Sequence, residues 1–183
     1  MAFGSNIPNN EVRMDTSEFE KMLPYDAVEW HLNDNYPSSL SPDNARTHIG
    51  IYLTWLIEQR MMSDEFEHAH ADLLAQCREH AIKGSEILRD CCNDTLSRDL
   101  LSPQGQEFSD YYYVDSYVSD FVDTLDDESY PSIFNVPDDW ASYKAMSEVL
   151  TRAYQSWLAG DKLDHSAAGL NGADILSNDP NAD

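Results

Sequence analysis

A chain of 183 residues, 42% hydrophobic and 11% aromatic, has the composition of a globular protein and can bury one core without disulfides or metal. Thirty-four acids against eleven bases give a formal net charge of -23. That field repels nucleic-acid phosphates and anionic lipid surfaces and attracts basic protein surfaces, so the partners it disfavours are nucleic acid and membrane, and the one it favours is a basic protein.

Residues 1–14 are Asn-rich and weakly patterned, which predicts a flexible arm. The start lacks a positive charge followed by an apolar run, so no signal peptide is expected, and no stretch of eighteen apolar residues predicts a membrane span. "DTSEFEKMLP" predicts a short helix, with Asp15 as cap, Glu18 three residues on, and Pro24 beyond the end. "YDAVEWHL" fits a helical turn or a short strand, and its length does not decide between them. "NDNYPSSLSP" is a loop.

Ser41 and Pro42 then open a helix as N-cap and first-turn residue. Ala45, Ile49, Ile51, Tyr52, Leu53, Trp55, Leu56 and Ile57 cover nearly its whole circumference, the mark of a central helix wrapped by others. Gly50 costs about 1 kcal/mol of helix propensity there, which close approach of a neighbouring element would offset. His48 has two readings. It is a core histidine bonded back toward Trp30, His31 or the Pro37 loop, or it lines a shallow pocket with Trp30 and His31.

"DEFEHAHADLLAQCREH" carries an amphipathic stripe of Phe66, Ala69, Leu73 and Cys77. It also holds Glu-x-x-His twice, Glu65 with His68 and Glu67 with His70. Di-iron bundles take one such motif from each of two helices; here both copies overlap on one helix, with their histidines about 200° apart. His80 lies almost three turns further on, so no metal site and no cofactor are expected from this set. "SEILRDCCNDTLS" reads as a helix capped by Ser85 with Ile87, Leu88, Cys91 and Cys92 inward. Three cysteines without a CxxC pair read as reduced, cytosolic, structural thiols. With no GxSxG, phosphate loop or dinucleotide fingerprint, the chain is not expected to be an enzyme.

"SPQGQEFSDYYYVDSYVSDFVDTL" opens with Ser102 and Pro103. Tyr111, Val114, Val118, Phe121 and Leu125 recur at helical spacing and are the expected buried stripe. Asp110, Tyr113, Tyr117, Asp120, Asp123 and Asp127 are then left outward, with Glu128 at the rim. No Lys or Arg falls between Arg98 and Lys144. Tyrosines interleaved with aspartates suit a protein-binding surface, the rings for affinity and the charge for steering. A solvated face with extra core tyrosines is the other reading. "DDESYPSIFNVPDD" is a loop, and a last helix runs from a cap at Asp138 or Asp139 to Gly160, with Trp140, Tyr143, Met146, Leu150, Ala153 and Trp157 packing. The expected architecture is all-α: one compact domain of six or seven helices over 15–160, between a flexible arm over 1–14 and a disordered tail over 161–183.

"YDAVEWHLNDNYP", "ARTHIGIYLTWLIEQRMM" and "KGSEILRDCCNDTLSRDLLSPQGQEFSDYYY" together resemble a bacterial family of undefined function. In that family a WH-containing start, a THIG-type helix followed by tryptophan, and a tyrosine-rich helix after a "G..F" step recur in this order. The likeness covers roughly residues 25 to 125. Such small acidic proteins are similar to those encoded beside antibacterial toxins, which serve as immunity proteins. The resemblance implies a cytoplasmic protein that neutralises a cognate toxin or effector by tight binding, and it brings no catalytic residues. The alternatives are a small-ligand protein or enzyme centred on Trp30, His31 and His48, and an acidic adaptor.

Overall fold

The computed structural model describes residues 24–125 and 129–160. The helix expected over "DTSEFEKMLP", the arm and the tail lie outside these residues, as do Asp127 and Glu128. The described chain is mostly helical, with seven helical rods and one small sheet.

The ambiguous stretch "YDAVEWHL" is both of its candidates. Pro24–Ala27 form strand β1, and Val28–His31 follow as a single helical turn, α1. The strand exists because it finds a partner about seventy residues later. β1 pairs antiparallel with β2 (Thr95–Ser97), with Asp26 opposite Leu96 and an irregularity between Pro24 and Asp26. Two strands alone are marginal in water, so this ribbon holds because it packs on the helices beneath it.

Ser41 caps a 3-10 turn (Pro42–Arg46) that leads into α2 (Thr47–Glu58). Every residue of α2 from Thr47 to Ile57 is buried, as its all-round apolar pattern predicts. Around it pack α4 (Ala71–Arg78), α5 (Gly84–Cys91) and α8 (Trp140–Ala159). The helix expected over 64–80 is broken in two at His70, giving α3 (Asp64–Ala69) before α4.

Gly50 lies where α2 and α5 meet. A methyl group added to it would sit 2.6 Å from the backbone nitrogen of Ser85. Gly84 faces it across the same seam, and its own added carbon would overlap the Gly50 carbonyl. Thr54 stitches this seam, donating to the Gly50 carbonyl at 2.7 Å and accepting from the Gly84 amide at 2.9 Å. The N-cap of α5 is Lys83, two residues before the expected Ser85; Ser85 instead lies inside the helix and donates to Asp138 at 2.7 Å.

The long tyrosine-bearing rod spans residues 103–125. It begins as α6 (Pro103–Tyr112), loosens to a π turn (Tyr113–Tyr117) and resumes as α7 (Val118–Leu125). A π turn holds one more residue than an α turn and rotates all that follows by about 100°. The large buried side chains are Phe108 and Tyr112 before the π turn and Tyr113, Tyr117 and Phe121 from it onward. Val114, expected in the core, is 66% exposed. α8 closes the fold. Asp139 caps it by accepting from the Ala141 and Ser142 amides, and Gly160 ends it in the left-handed region at φ 78°.

Candidate functional site

Where β1, α1, α2 and the π turn converge, four polar side chains meet inside the apolar core. Asp26, next to last in β1, points inward and is 4% exposed. Its carboxylate accepts from four donors. His31 Nε2 lies 2.7 Å from Oδ1, the Ala27 amide 2.8 Å from Oδ1, His48 Nε2 3.1 Å from Oδ2, and the Tyr113 hydroxyl 2.7 Å from Oδ2. An ionised carboxylate only accepts, so both histidines carry a proton on Nε2.

Burial works against the Asp26 charge, but the hydrogen bonds from His31 and His48 outweigh it and hold the carboxyl well below the usual carboxylate range. The Tyr113 hydroxyl is pushed well above its ordinary value, first by burial and then by the Asp26 charge, and so remains a donor.

Each element supplies its member for a local reason. The single turn α1 places His31 five residues after Asp26, folded back onto it. His48 sits in the first turn of α2, with its ring edge-on to that of His31 at 4.7 Å between centroids. The π turn stacks Tyr113 on Tyr117 at 4.9 Å, and Tyr117 donates to the His48 carbonyl at 2.6 Å. Residues four apart share a face on any helix; the widened turn lets Tyr113 and Tyr117 face the cluster while Phe108 and Tyr112 before them also stay buried. Phe121 and Phe134 close it with edge and tilted ring contacts. Beside His31 a small cavity opens, lined by Asn33, Asn35, Tyr36 and Phe134, with about 20 Å³ of free volume. That is room for one water molecule.

The expected pocket of Trp30, His31 and His48 is thus half formed. His31 and His48 are brought together, while Trp30 is 49% exposed and takes no part, because the one-turn helix points it the other way. The expected tyrosine surface is corrected. Tyr113 and Tyr117 are 5% and 0% exposed and belong to the core, since the π turn rotates them inward. Asp120 is half-buried and accepts the Tyr112 hydroxyl at 2.5 Å. Asp110 is exposed but engaged by Arg98 and by Tyr25 at 2.8 Å. Asp123 is exposed, as expected.

Asp26 is the residue that sequence reasoning missed. Its only signal was a lone acid in an otherwise apolar strand, five residues before a histidine. The histidines that were weighed for metal stand elsewhere: His68 is exposed, His70 packs on Phe66, and His80 stacks on Trp140 at 4.3 Å while bonding Glu58. The cysteines carry no site either. Burial pushes Cys77 and Cys92 up to about 12, far from the thiolate a nucleophile needs.

A helical domain with an α2 core, a two-stranded ribbon and a buried Asp–His–His–Tyr cluster is the class defined here. The chain belongs to the family described as Domain of unknown function (DUF7832), whose model matches residues 24–136. That span contains all four cluster residues. No curated protein and no solved structure matches the chain. No helix among the described residues is long and apolar enough to cross a membrane.

Proposed function

We propose that the protein acts by stoichiometric binding of a basic protein, in the manner of an immunity protein that occludes a cognate antibacterial toxin. The observation that carries this reading is the outer face of the rod over 103–125. Glu107, Asp115 and Asp123 are exposed there with no hydrogen-bond or ion-pair partner among the described residues. Val114 stands among them as an exposed apolar residue. Four other acids of the base-free interval have internal work: Asp110 holds Arg98, Asp120 holds Tyr112, Asp138 holds Lys83, and Asp139 caps α8. Charge left over after folding is what a partner can use. Long-range attraction speeds encounter, to about 10⁸–10⁹ per molar per second where steering is strong. The contact set is therefore Glu107, Val114, Asp115 and Asp123 rather than the tyrosines.

The test is capture of a partner from the lysate of cells that express the protein natively, at low and then high salt. A single basic protein should be retained at low salt and released at high salt. The Asp115→Lys, Asp123→Lys double variant should lose at least tenfold in affinity with its fold unchanged by circular dichroism. Undiminished capture by that variant would rule out this face.

A second reading, a small-ligand protein or enzyme built on His31 and His48, is favoured by the buried cluster itself. An organic ligand does not fit the 20 Å³ beside His31, so that reading requires Phe134 and Tyr36 to move apart.

A further inference from the structure

The cluster that admits no organic molecule has the donors and the size for an ion. Among the described residues, Asp26, His31 and His48 are the one group of three whose ligand atoms could converge on a metal, and these atoms lie within 4.8 Å of one another. All three are buried, which separates them from the surface acids that meet by chance in so acidic a chain. The cluster also has a charge to neutralise. The Asp26 carboxylate is ion-paired only through imidazoles, and no Lys or Arg among the described residues reaches it.

We infer that Asp26, His31 and His48 form a binding site for a single divalent transition-metal ion, held by two imidazole nitrogens and one carboxylate. Nitrogen-rich donor sets of this kind suit Zn²⁺, Fe²⁺ or Co²⁺, whereas Ca²⁺ and Mg²⁺ take oxygen donors. For the ion to bind at Nε2, the proton that now bonds the carboxylate leaves that nitrogen, passing to Nδ1 of a neutral imidazole or to solvent from an imidazolium. Nitrogen ligands about 2.1 Å from a tetrahedral metal stand about 3.4 Å apart, so atoms that lie within 4.8 Å of one another draw together by at most about 1.4 Å to close the site. The surroundings are those that tune a metal site. Tyr113 donates to Oδ2 and would orient the carboxylate, and the Tyr117 bond to the His48 carbonyl fixes the turn that carries the ligand. The cavity beside His31 has room for one water next to that ligand. The inference is independent of partner binding, since none of these residues lies on the acidic outer face.

The full chain, stripped with chelator, is titrated with Co²⁺ and followed by its visible absorption and by calorimetry in buffers of differing ionisation enthalpy. The expected result is saturation at one ion per chain, with the buffer dependence of the heat counting any protons released, and displacement of Co²⁺ by one equivalent of Zn²⁺. His31→Gln and His48→Gln should each weaken binding at least tenfold. His68→Gln and His70→Gln should leave it unchanged. Should the buried variants fail to fold, paramagnetic shifts on the unaltered protein locate the ion: signals of His31, His48 and Tyr113 move if the inference holds. Absence of binding at one equivalent would overturn it, leaving the cluster as a hydrogen-bonded core network alone. Shifts confined to His68, His70 and His80 would overturn it equally.

Discussion

Asp26 is a buried carboxylate with every acceptor position filled, and each donor around it is correspondingly hard to remove. Replacing His48 by alanine deletes one of the four donors and leaves a charged oxygen short of a partner inside the core, besides opening a void among Phe121 and Phe134. Loss of one bond to a buried charged group costs about 2 kcal/mol or more. The expected outcome for His48→Ala is a melting temperature lower by several degrees, measured by calorimetry, with partner affinity of the folded fraction intact because His48 is buried beneath the rod and does not reach its outer face. An unchanged melting temperature with lost binding would mean that His48 acts on the partner directly. His48 was legible in the sequence as a histidine needing a partner within an apolar helix. Its actual partner was not legible. Asp26 reaches it only through a strand pairing that spans about seventy residues, and no local pattern encodes that.

At the scale of elements, the seam between α2 and α5 decides how closely the core can close. Two glycines, Gly50 and Gly84, face each other across it, and Thr54 bonds both backbones. On propensity alone Gly50→Ala should stabilise a helix interior by about 1 kcal/mol. Here the added carbon meets the Ser85 backbone, which cannot swing aside as a side chain would. Overpacking of that kind costs about 1–3 kcal/mol, so the contact outweighs the propensity. Chemical denaturation should therefore report Gly50→Ala as destabilised, and a gain in stability would show that the two helices can separate freely. This seam and the central place of α2 were readable, because an apolar pattern that covers a whole helix has few structural solutions. The rod over 103–125 was not. Regular 3.6-residue spacing puts Val114 inside and Tyr113 and Tyr117 outside, and the π turn reverses this. The driving force is tertiary: Tyr113 finds Asp26, Tyr117 finds the His48 carbonyl, and the helix yields one turn of ideal geometry to satisfy both.

For the molecule as a whole, charge sets two opposing responses to salt. With thirty-four acids and eleven bases the folded chain repels itself, and compaction brings like charges together. Of the ion pairs that the bases make, Arg46 with Asp94, Arg78 with Glu67, Lys83 with Asp138 and Arg98 with Asp110 are partly buried and are screened less than the exposed acids, while Arg89 with Asp90 is exposed. Raising the ionic strength from about 0.01 M to about 0.15 M shortens the screening length from about 30 Å to about 8 Å, so it relieves the repulsion while sparing most of these pairs. Scanning calorimetry should then show the melting temperature rising over that range. The same screening removes the long-range attraction between the rod's outer face and a basic partner, so association should slow as the protein itself becomes more stable. Opposite signs for the two responses identify the unpaired surface acids as their common origin. A melting temperature that falls with salt would mean that the native ion pairs, and not the surplus acids, dominate the electrostatics of the fold, and the case for a steering surface would weaken with it.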